Sequence, residues 1–395
     1  MDRHAVIVGG GPGGLLLGVF LARSGLEVTV LEKERTFASY GEGFTAPALR
    51  VLREAGLADR VLALHHNKIE RWEFYSEGKY ASSLDPGRIF QDYPFIFLIP
   101  VGDVLDLILA AARDIPEFEL RMGASVTGLI EDDGAVVGVR YQDEEGPHQL
   151  VTGVVIGADG RASSVRHLAQ IPFGPDEPAE VYDAVGLRVP APDAWPECVG
   201  RTYIGGGVVV SWCTDRDGRA LITAAALRGI LPNDADPAGL REALASRLPV
   251  QPAAYLRAQA LDAGSLSRFE VRPGRVTHRS RRGLLLLGDA AQTLAPLGFS
   301  GFPTALRDAV VAANQIVSAF RGPGLSHGVL AAIDAERAGE ASEIEKEQEK
   351  AVEAALRPTS SSKFFLRYGG MRAALRTLLG YYEALGTEVR LDVEA

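Results

Sequence analysis

The chain is poor in the residues that form disulfides, bind structural metals or cross membranes. Only two of its 395 residues are cysteine, Cys198 and Cys213, and neither belongs to a Cys-x-x-Cys pair or adjoins a pair of histidines. The sequence therefore offers no disulfide framework and no metal site, and both thiols are expected to be buried and inert. No apolar stretch approaches the ~18 residues of a membrane span; the strongest runs, Leu284–Leu287 and Phe95–Pro100, are strand-sized. Basic residues are outnumbered, 41 against 51, for a formal charge of −10, and no basic stripe is interleaved with aromatics. This balance argues against a nucleic-acid partner and for a small molecule. Met1-Asp2-Arg3-His4 runs straight into apolar Ala5–Val8, without a charged region, a long apolar region and a cleavage site. The expectation is a cytoplasmic protein without stable membrane insertion.

Glycine is in excess: 44 residues, about 11% of the chain against roughly 7% in average proteins, with no collagen-like period. Many backbone positions are thus expected to adopt positive φ or to approach a ligand closely. A hydrophobic fraction of 47% with 23% charged residues describes a globular chain with a large core, and its length suggests two or three domains.

Residues 4–8 (HAVIV) read as a buried strand, Gly13–Ser24 as a helix stopped by Gly25, and Leu26–Glu32 as a second, parallel strand. Ala46–Ala63 has helical spacing broken at Gly56, Arg71–Leu84 alternates like a hairpin turning at Glu77-Gly78, and Val101–Arg113 returns to helix. Between Phe118 and Asp159, turn signals at Asp133-Gly134 and Gly146-Pro147 predict an antiparallel meander. From Ile171 to about Glu270 the text becomes Pro-rich strands with one polar helix near Pro237–Arg247, a separate sheet domain. Arg275–Gly288 reads as a buried strand and Pro303–Phe320 as a helix, which together rejoin the first domain. Ala331–Leu356 and Phe364–Leu385 read as helices over the domain junction, with Glu343–Lys350 a solvated face. The expected fold is α/β: a Rossmann-like domain from residues 1–70, 101–170 and 271–330, a second, mainly antiparallel β-sheet domain from 71–100 and 171–270, and C-terminal helices over 331–395.

Gly9-Gly10-Gly11-Pro12-Gly13-Gly14 satisfies GxGxxG between a strand and a helix. Gly9 permits the tight turn, Gly11 lets backbone approach a pyrophosphate, Gly14 lets helix and strand touch, and the helix amino terminus offers donors and partial positive charge. Glu32, with Lys33 beside it, ends the second strand about 20 residues on, where a carboxylate takes the hydroxyls of an adenosine ribose. A four-leucine strand delivers Gly288-Asp289 to the sheet's carboxyl edge, where the carboxylate can bind ribityl hydroxyls. Gly298 and Gly301 then let backbone approach a flat ring, and Pro303 suits the first turn of a helix whose positive end faces that ring.

These blocks resemble the flavoprotein aromatic hydroxylases of the para-hydroxybenzoate hydroxylase type, the group A flavoprotein monooxygenases. The resemblance covers most of the chain and rests on three ordered motifs: the glycine turn; Gly157-Ala158-Asp159-Gly160 with Ser163, Val165 and Arg166; and Gly288-Asp289-Ala290-Ala291 with Pro296, Gly298, Gly301, Asp308 and Ala309. It implies a GR2-type FAD-binding domain and a single-component monooxygenase. By that resemblance FAD is held through Gly9, Gly11, Pro12, Gly13, Gly14, Glu32, Lys33, Val101, Asp159, Asp289, Pro296, Gly298, Gly301 and Phe302, with Pro296 near the ring's reactive edge. It further implies reduction by NADPH or NADH, without a second Rossmann domain, and oxygenation by dioxygen of an aromatic or heteroaromatic small molecule through a flavin C4a-hydroperoxide. The product is a hydroxylated ring or an epoxide, the reaction site lies under the second sheet, and no residue is identified as the base that activates substrate.

The pattern also departs from the family. Gln292 stands where a histidine is usual, Phe299 replaces a glycine, Ser300 another polar residue and Pro303 an asparagine, while Val101 stands where a basic or amide side chain helps hold FAD. Loosened flavin binding is one consequence; a substrate-shaping Phe299 over the ring is another. Lys79 invites comparison with flavin-dependent halogenases, whose WxWxIP motif is absent, and prenyl-chain reductases and non-enzymatic binding proteins share the fold. His65 and His66 read as capping or solvated side chains, and Arg188, Tyr203 and Trp212 are candidates for packing or a pocket without an assigned role.

Overall fold

The computed structural model describes residues 3–37, 41–174, 180–192, 195–233, 236–261, 266–298 and 300–357. Phe299 and the expected helix over Phe364–Leu385 lie outside them.

The first domain is built on a sheet ordered Ser280–Arg281, Leu284–Leu286, Val154–Gly157, His4–Val8, Glu27–Glu32, Phe118–Met122. All its pairings are parallel except the first. A parallel sheet is covered on both faces, which is why its strands read as continuous apolar runs. One face carries α1 (Pro12–Arg23), α2 (Ala46–Glu54), α4 (Val101–Ala112) and α8 (Gly301–Arg321). Of the intervening helices, α3 is Ala58–Ala63, α5 Ser164–Leu168, α6 Pro237–Ala245 and α7 Val250–Ala258. The other face is closed by three antiparallel strands, Ser125–Asp132, Ala135–Asp143 and Gly146–Val151, whose Val136, Val139 and Tyr141 pack on Val6, Val155 and Leu286. The expected meander is thus confined to its middle. Phe118–Met122 and Val154–Gly157 belong to the parallel sheet, and Arg275–Gly288 is three short strands rather than one.

A second sheet of seven strands runs Leu266–Val271, Tyr182–Pro190, Arg219–Leu227, Val208–Thr214, Val199–Gly205, Arg71–Ser76, Lys79–Leu84, antiparallel except where Val199–Gly205 pairs with Arg71–Ser76. Its outer face is buried under α6 and α7, where Tyr203, Val210, Trp212 and Ile222 meet Leu240, Leu244 and Leu256. Ile96–Pro100 joins a separate three-stranded sheet with Gly41–Phe44 and Asn67–Ile69. A 30-residue helix, α9 (His327–Leu356), packs on α8 and continues to the second sheet, where Val352 and Ala355 meet Ile204 and Val209.

Where α8, α9 and the first sheet meet, Asp308 is fully buried. Its Oδ2 accepts hydrogen bonds from Arg279 Nη1 (2.9 Å) and Gly288 N (2.7 Å), and its Oδ1 from Arg337 Nε (2.5 Å). Arg337 also pairs with Glu340, which Arg307 reaches at 3.2 Å. Burial pushes the Asp308 carboxyl up, but Arg279 and Arg337 outweigh it and hold the group below the usual carboxylate range.

Removing one partner of a buried ion pair strands the other charges, at a cost of about 3–5 kcal/mol. Asp308→Ala is therefore expected to lose about that much stability by urea unfolding, and a loss under about 1 kcal/mol would contradict the account. Because the folded pKa is depressed, this stabilisation is complete above the unfolded carboxylate value near ~4 and disappears as pH falls through the lower folded value.

Candidate active site

Between the carboxyl edge of the parallel sheet and the inner face of the second sheet lies a continuous cavity of about 1040 Å³. All fourteen residues expected at a cofactor line it: Gly9, Gly11, Pro12, Gly13, Gly14, Glu32, Lys33, Val101, Asp159, Asp289, Pro296, Gly298, Gly301 and Phe302.

At the glycine turn, Gly9 has φ +108°, and a Cβ there would lie 2.3 Å from the Ala158 carbonyl oxygen. A Cβ on Gly14 would lie 2.1 Å from the Gly9 oxygen, so these two glycines are required by the protein's own backbone. Gly11 differs, since a Cβ there meets nothing within 4 Å and would project into open space beside the cavity. It is the N-cap of α1, and no side chain caps that helix. Its first-turn donors suit an anion such as a pyrophosphate. Glu32 is tied to the turn, its Oε2 accepting from Gly10 N (2.7 Å) and its Oε1 from Glu34 N (2.9 Å).

The Asp159 side chain is occupied locally. It accepts from the Ser163 hydroxyl (2.5 Å) and Val165 N (3.1 Å) at the start of α5, while Ser163 accepts from Arg166 N (3.0 Å). Arg166 then donates to the Ala290 carbonyl (2.8 Å), sewing this block to the Gly288-Asp289 turn. Asp289 is the opposite case. Its carboxylate has no hydrogen-bond partner recorded among the described residues, although it lines the cavity and burial pushes its pKa up. Half-buried in the cavity wall, this carboxylate has no protein donor recorded among the described residues, and ligand hydroxyls would supply one.

The following loop is held from α9. Gln348 accepts from Ala295 N (2.9 Å) and donates to the Leu297 carbonyl (3.1 Å), bracketing Pro296. Gln348 is 3% exposed, so the expected solvated face at Glu343–Lys350 is corrected: one side of it grips the loop. The signal was the spacing of Arg337, Ala341, Ile344, Gln348 and Val352, all buried. Gln292 does not line the cavity; it accepts from Arg279 (3.1 Å) and donates to the Ala341 carbonyl (3.2 Å) and Glu345 (3.0 Å). At the start of α8 a Cβ on Gly301 would meet nothing within 4 Å, and the Phe302 ring stacks on Phe44 at 3.9 Å between centroids.

Under the second sheet the cavity is mostly apolar, walled by Trp72, Phe74, Ile96, Leu98, Leu297 and Ala355. Arg188 lines it but is held by Asp215 (2.6 Å) and Asp217 (2.5 Å), whereas Tyr203 and Trp212 face the other way, beneath α6 and α7. Cys213 lines the cavity as an unreactive thiol, its pKa pushed up to about 12 by burial; Cys198 is exposed, contrary to the expectation that both are buried. Lys79 is exposed and is not among the lining residues, and the His66 ring lies tilted against Phe97 at 4.2 Å between centroids. No helix among the described residues is long and apolar enough to cross a membrane.

Comparison with known proteins agrees with this geometry. The chain is 28% identical over 389 residues to the 6-methylpretetramide 4-monooxygenase of Streptomyces rimosus, covering 94% of this chain and 86% of that one. It is 27% identical over 325 residues to a 3-(3-hydroxy-phenyl)propionate/3-hydroxycinnamic acid hydroxylase of Paraburkholderia xenovorans, which takes in 78% of this chain but only 49% of the relative. The fold is shared with p-nitrophenol 4-monooxygenase of Pseudomonas putida, at TM-score 0.80 and 21% identity over 97% of this chain and 98% of the other. It is shared too with Klebsiella pneumoniae HpxO solved with FAD and uric acid, at TM-score 0.79 and 20% identity over 97% of each. Matched over residues 2–348 by the family profile described as FAD binding domain, the chain belongs to that FAD-binding family.

Proposed function

We propose that this chain is a single-component FAD-dependent monooxygenase that takes hydride from NADPH or NADH and oxygenates an aromatic or heteroaromatic small molecule with dioxygen. The observation that carries the reading is the cavity itself. An unpartnered Asp289 carboxylate and two glycines with open space at their Cβ positions face a space that continues into an apolar chamber. The named activities of relatives on 6-methylpretetramide and on hydroxylated phenylpropanoids support it.

The residues present fit FAD. The α1 amino terminus and Gly11 would hold the pyrophosphate, Glu32 and Lys33 the adenosine end, Asp289 the ribityl hydroxyls, and the loop from Pro296 to Phe302 the ring. Bound there, FAD supplies hydride acceptance and the activation of dioxygen. The chain does the rest by position. The 21-residue α8 turns its positive end toward the ring site, stabilising negative charge there. Gln348 fixes the Ala295 amide and the Leu297 carbonyl on either side of Pro296. The apolar walls under the second sheet exclude water from the reacting atoms. Hydride donation by a reduced nicotinamide nucleotide supports a cytoplasmic setting.

The test is spectroscopic. Protein given FAD and gel-filtered is expected to keep a flavin band, to bleach with NADPH or NADH under anaerobic conditions, and to recover in air with peroxide release when no substrate is present. Failure to retain or reduce the flavin would overturn the reading. Gly11→Val is expected to fold, because a Cβ there meets no protein atom within 4 Å, yet to carry no FAD; a wild-type flavin content would contradict the assignment. Hydrogen bonds to a charged group are worth about 1.5–3 kcal/mol, so Asp289→Ala is expected to weaken FAD binding roughly tenfold to hundredfold by titration.

A further inference from the structure

On the cavity side of the second sheet, one cross-strand row carries hydroxyls. Thr202, Ser211 and Thr223 are successive register partners on neighbouring strands, with Gly186 next to Thr223. The adjacent row through Ile204, Val209 and Ala225 is apolar. Strands lie ~4.8 Å apart, so these four positions form a floor roughly 14 Å across, lined by small side chains. That is broader than one aromatic ring requires.

The hydroxyls are ordered. Trp72 Nε1 donates to Thr202 Oγ1 at 2.7 Å, and Thr202 Oγ1 lies 2.9 Å from Ser211 Oγ. An indole N–H can only donate, so the Thr202 oxygen accepts from Trp72; it keeps a second lone pair, and either hydroxyl can donate in the contact between Thr202 and Ser211. Ser211 lines the cavity and has no further hydrogen-bond partner recorded among the described residues, so its hydroxyl is available to a ligand as donor or acceptor. Of the arginines that line the cavity, Arg188 is held by Asp215 and Asp217 and Arg216 by Asp103, whereas Arg161 lies over the Phe269 ring and Arg219 donates to the Arg188 carbonyl.

We infer that Ser211 donates to an acceptor oxygen on the substrate, and that the substrate is a flat, fused-ring aromatic with a ring carbonyl. This rests on the monooxygenase reading and adds to it the substrate class and the residue that orients it. Trp72 and Thr202 are positioning residues, acting through Ser211. The carbonyl fixes which edge of the ring system faces the flavin, and the broad floor accepts the remaining rings.

The experiment uses FAD-loaded protein and three probes: 2-hydroxyxanthone, which has a ring carbonyl; 2-hydroxydibenzofuran, which lacks it; and 4-hydroxybenzoate, which is monocyclic and charged. Binding is read as perturbation of the flavin absorption band. Wild type is expected to bind the xanthone at least tenfold more tightly than the dibenzofuran, and 4-hydroxybenzoate most weakly. Ser211→Ala is expected to erase the preference for the carbonyl while leaving flavin content and NADPH reduction without ligand unchanged, and Thr202→Val to reduce the preference. Equal affinity for the two tricyclic probes, failure of the xanthone to bind, tightest binding of 4-hydroxybenzoate, or an unaltered preference in Ser211→Ala would each overturn the inference. A wild-type protein that retains no FAD would instead overturn the reading on which it rests.

Discussion

The flavin end of the cavity depends on one buried carboxylate. Asp308 accepts from the Gly288 amide and from two arginines, and so fixes the Gly288-Asp289 turn to α8, to the segment before Leu284 and to α9 at once. Without such a hub, a turn bearing a cavity-facing carboxylate would be set by its own strand of three residues and the Arg166 bond to the Ala290 carbonyl. The ion pairs carry a desolvation cost that is met because each oxygen finds donors and Arg337 finds Glu340 as well. A fixed turn is what a binding carboxylate requires, since a ligand must meet it without paying for its ordering.

From this hub α9 extends along the cavity. Arg337 belongs to the ion cluster, the Ala341 carbonyl and Glu345 hold Gln292, Gln348 brackets Pro296, and Ala351 and Ala355 reach the apolar chamber. One helical face thus spans the cluster that fixes Asp289, the loop beside the ring site and the wall of the substrate space. Two chemistries meet in a single cavity: a backbone-rich end with helix termini and carboxylates, and an apolar end whose sheet floor carries a few hydroxyls. That division suits a reaction in which a charged cofactor must be held firmly while water is kept from the reacting atoms.

Much of this was legible in the sequence, for identifiable reasons. The glycine turn, Glu32 and Gly288-Asp289 were readable because backbone clashes and strand ends restrict those positions to few residue types. The two sheets were readable from the change between continuous apolar runs and the Pro-rich strands after Ile171. What was not legible depended on tertiary partners. Phe118–Met122 and Val154–Gly157 carry the same local signals as hairpin strands, and only their pairing with distant strands makes them parallel. Asp159 belongs to a motif associated with cofactors, yet its oxygens cap α5. Gln348 sat in a run of charges, where the period of the buried face was masked by Glu and Lys on the other side. Gln292 departs from the family pattern but is a strut between Arg279 and α9, so its effect on the ring is indirect.

The central claim is that the three sequence blocks and the loop beyond them form one FAD site. Amide hydrogen exchange with and without FAD measures this directly. The account predicts that FAD slows exchange together in Gly9–Gly14, Ala158–Ser164 and Gly288–Phe302. Protection confined to the glycine turn, or none at all, would contradict it.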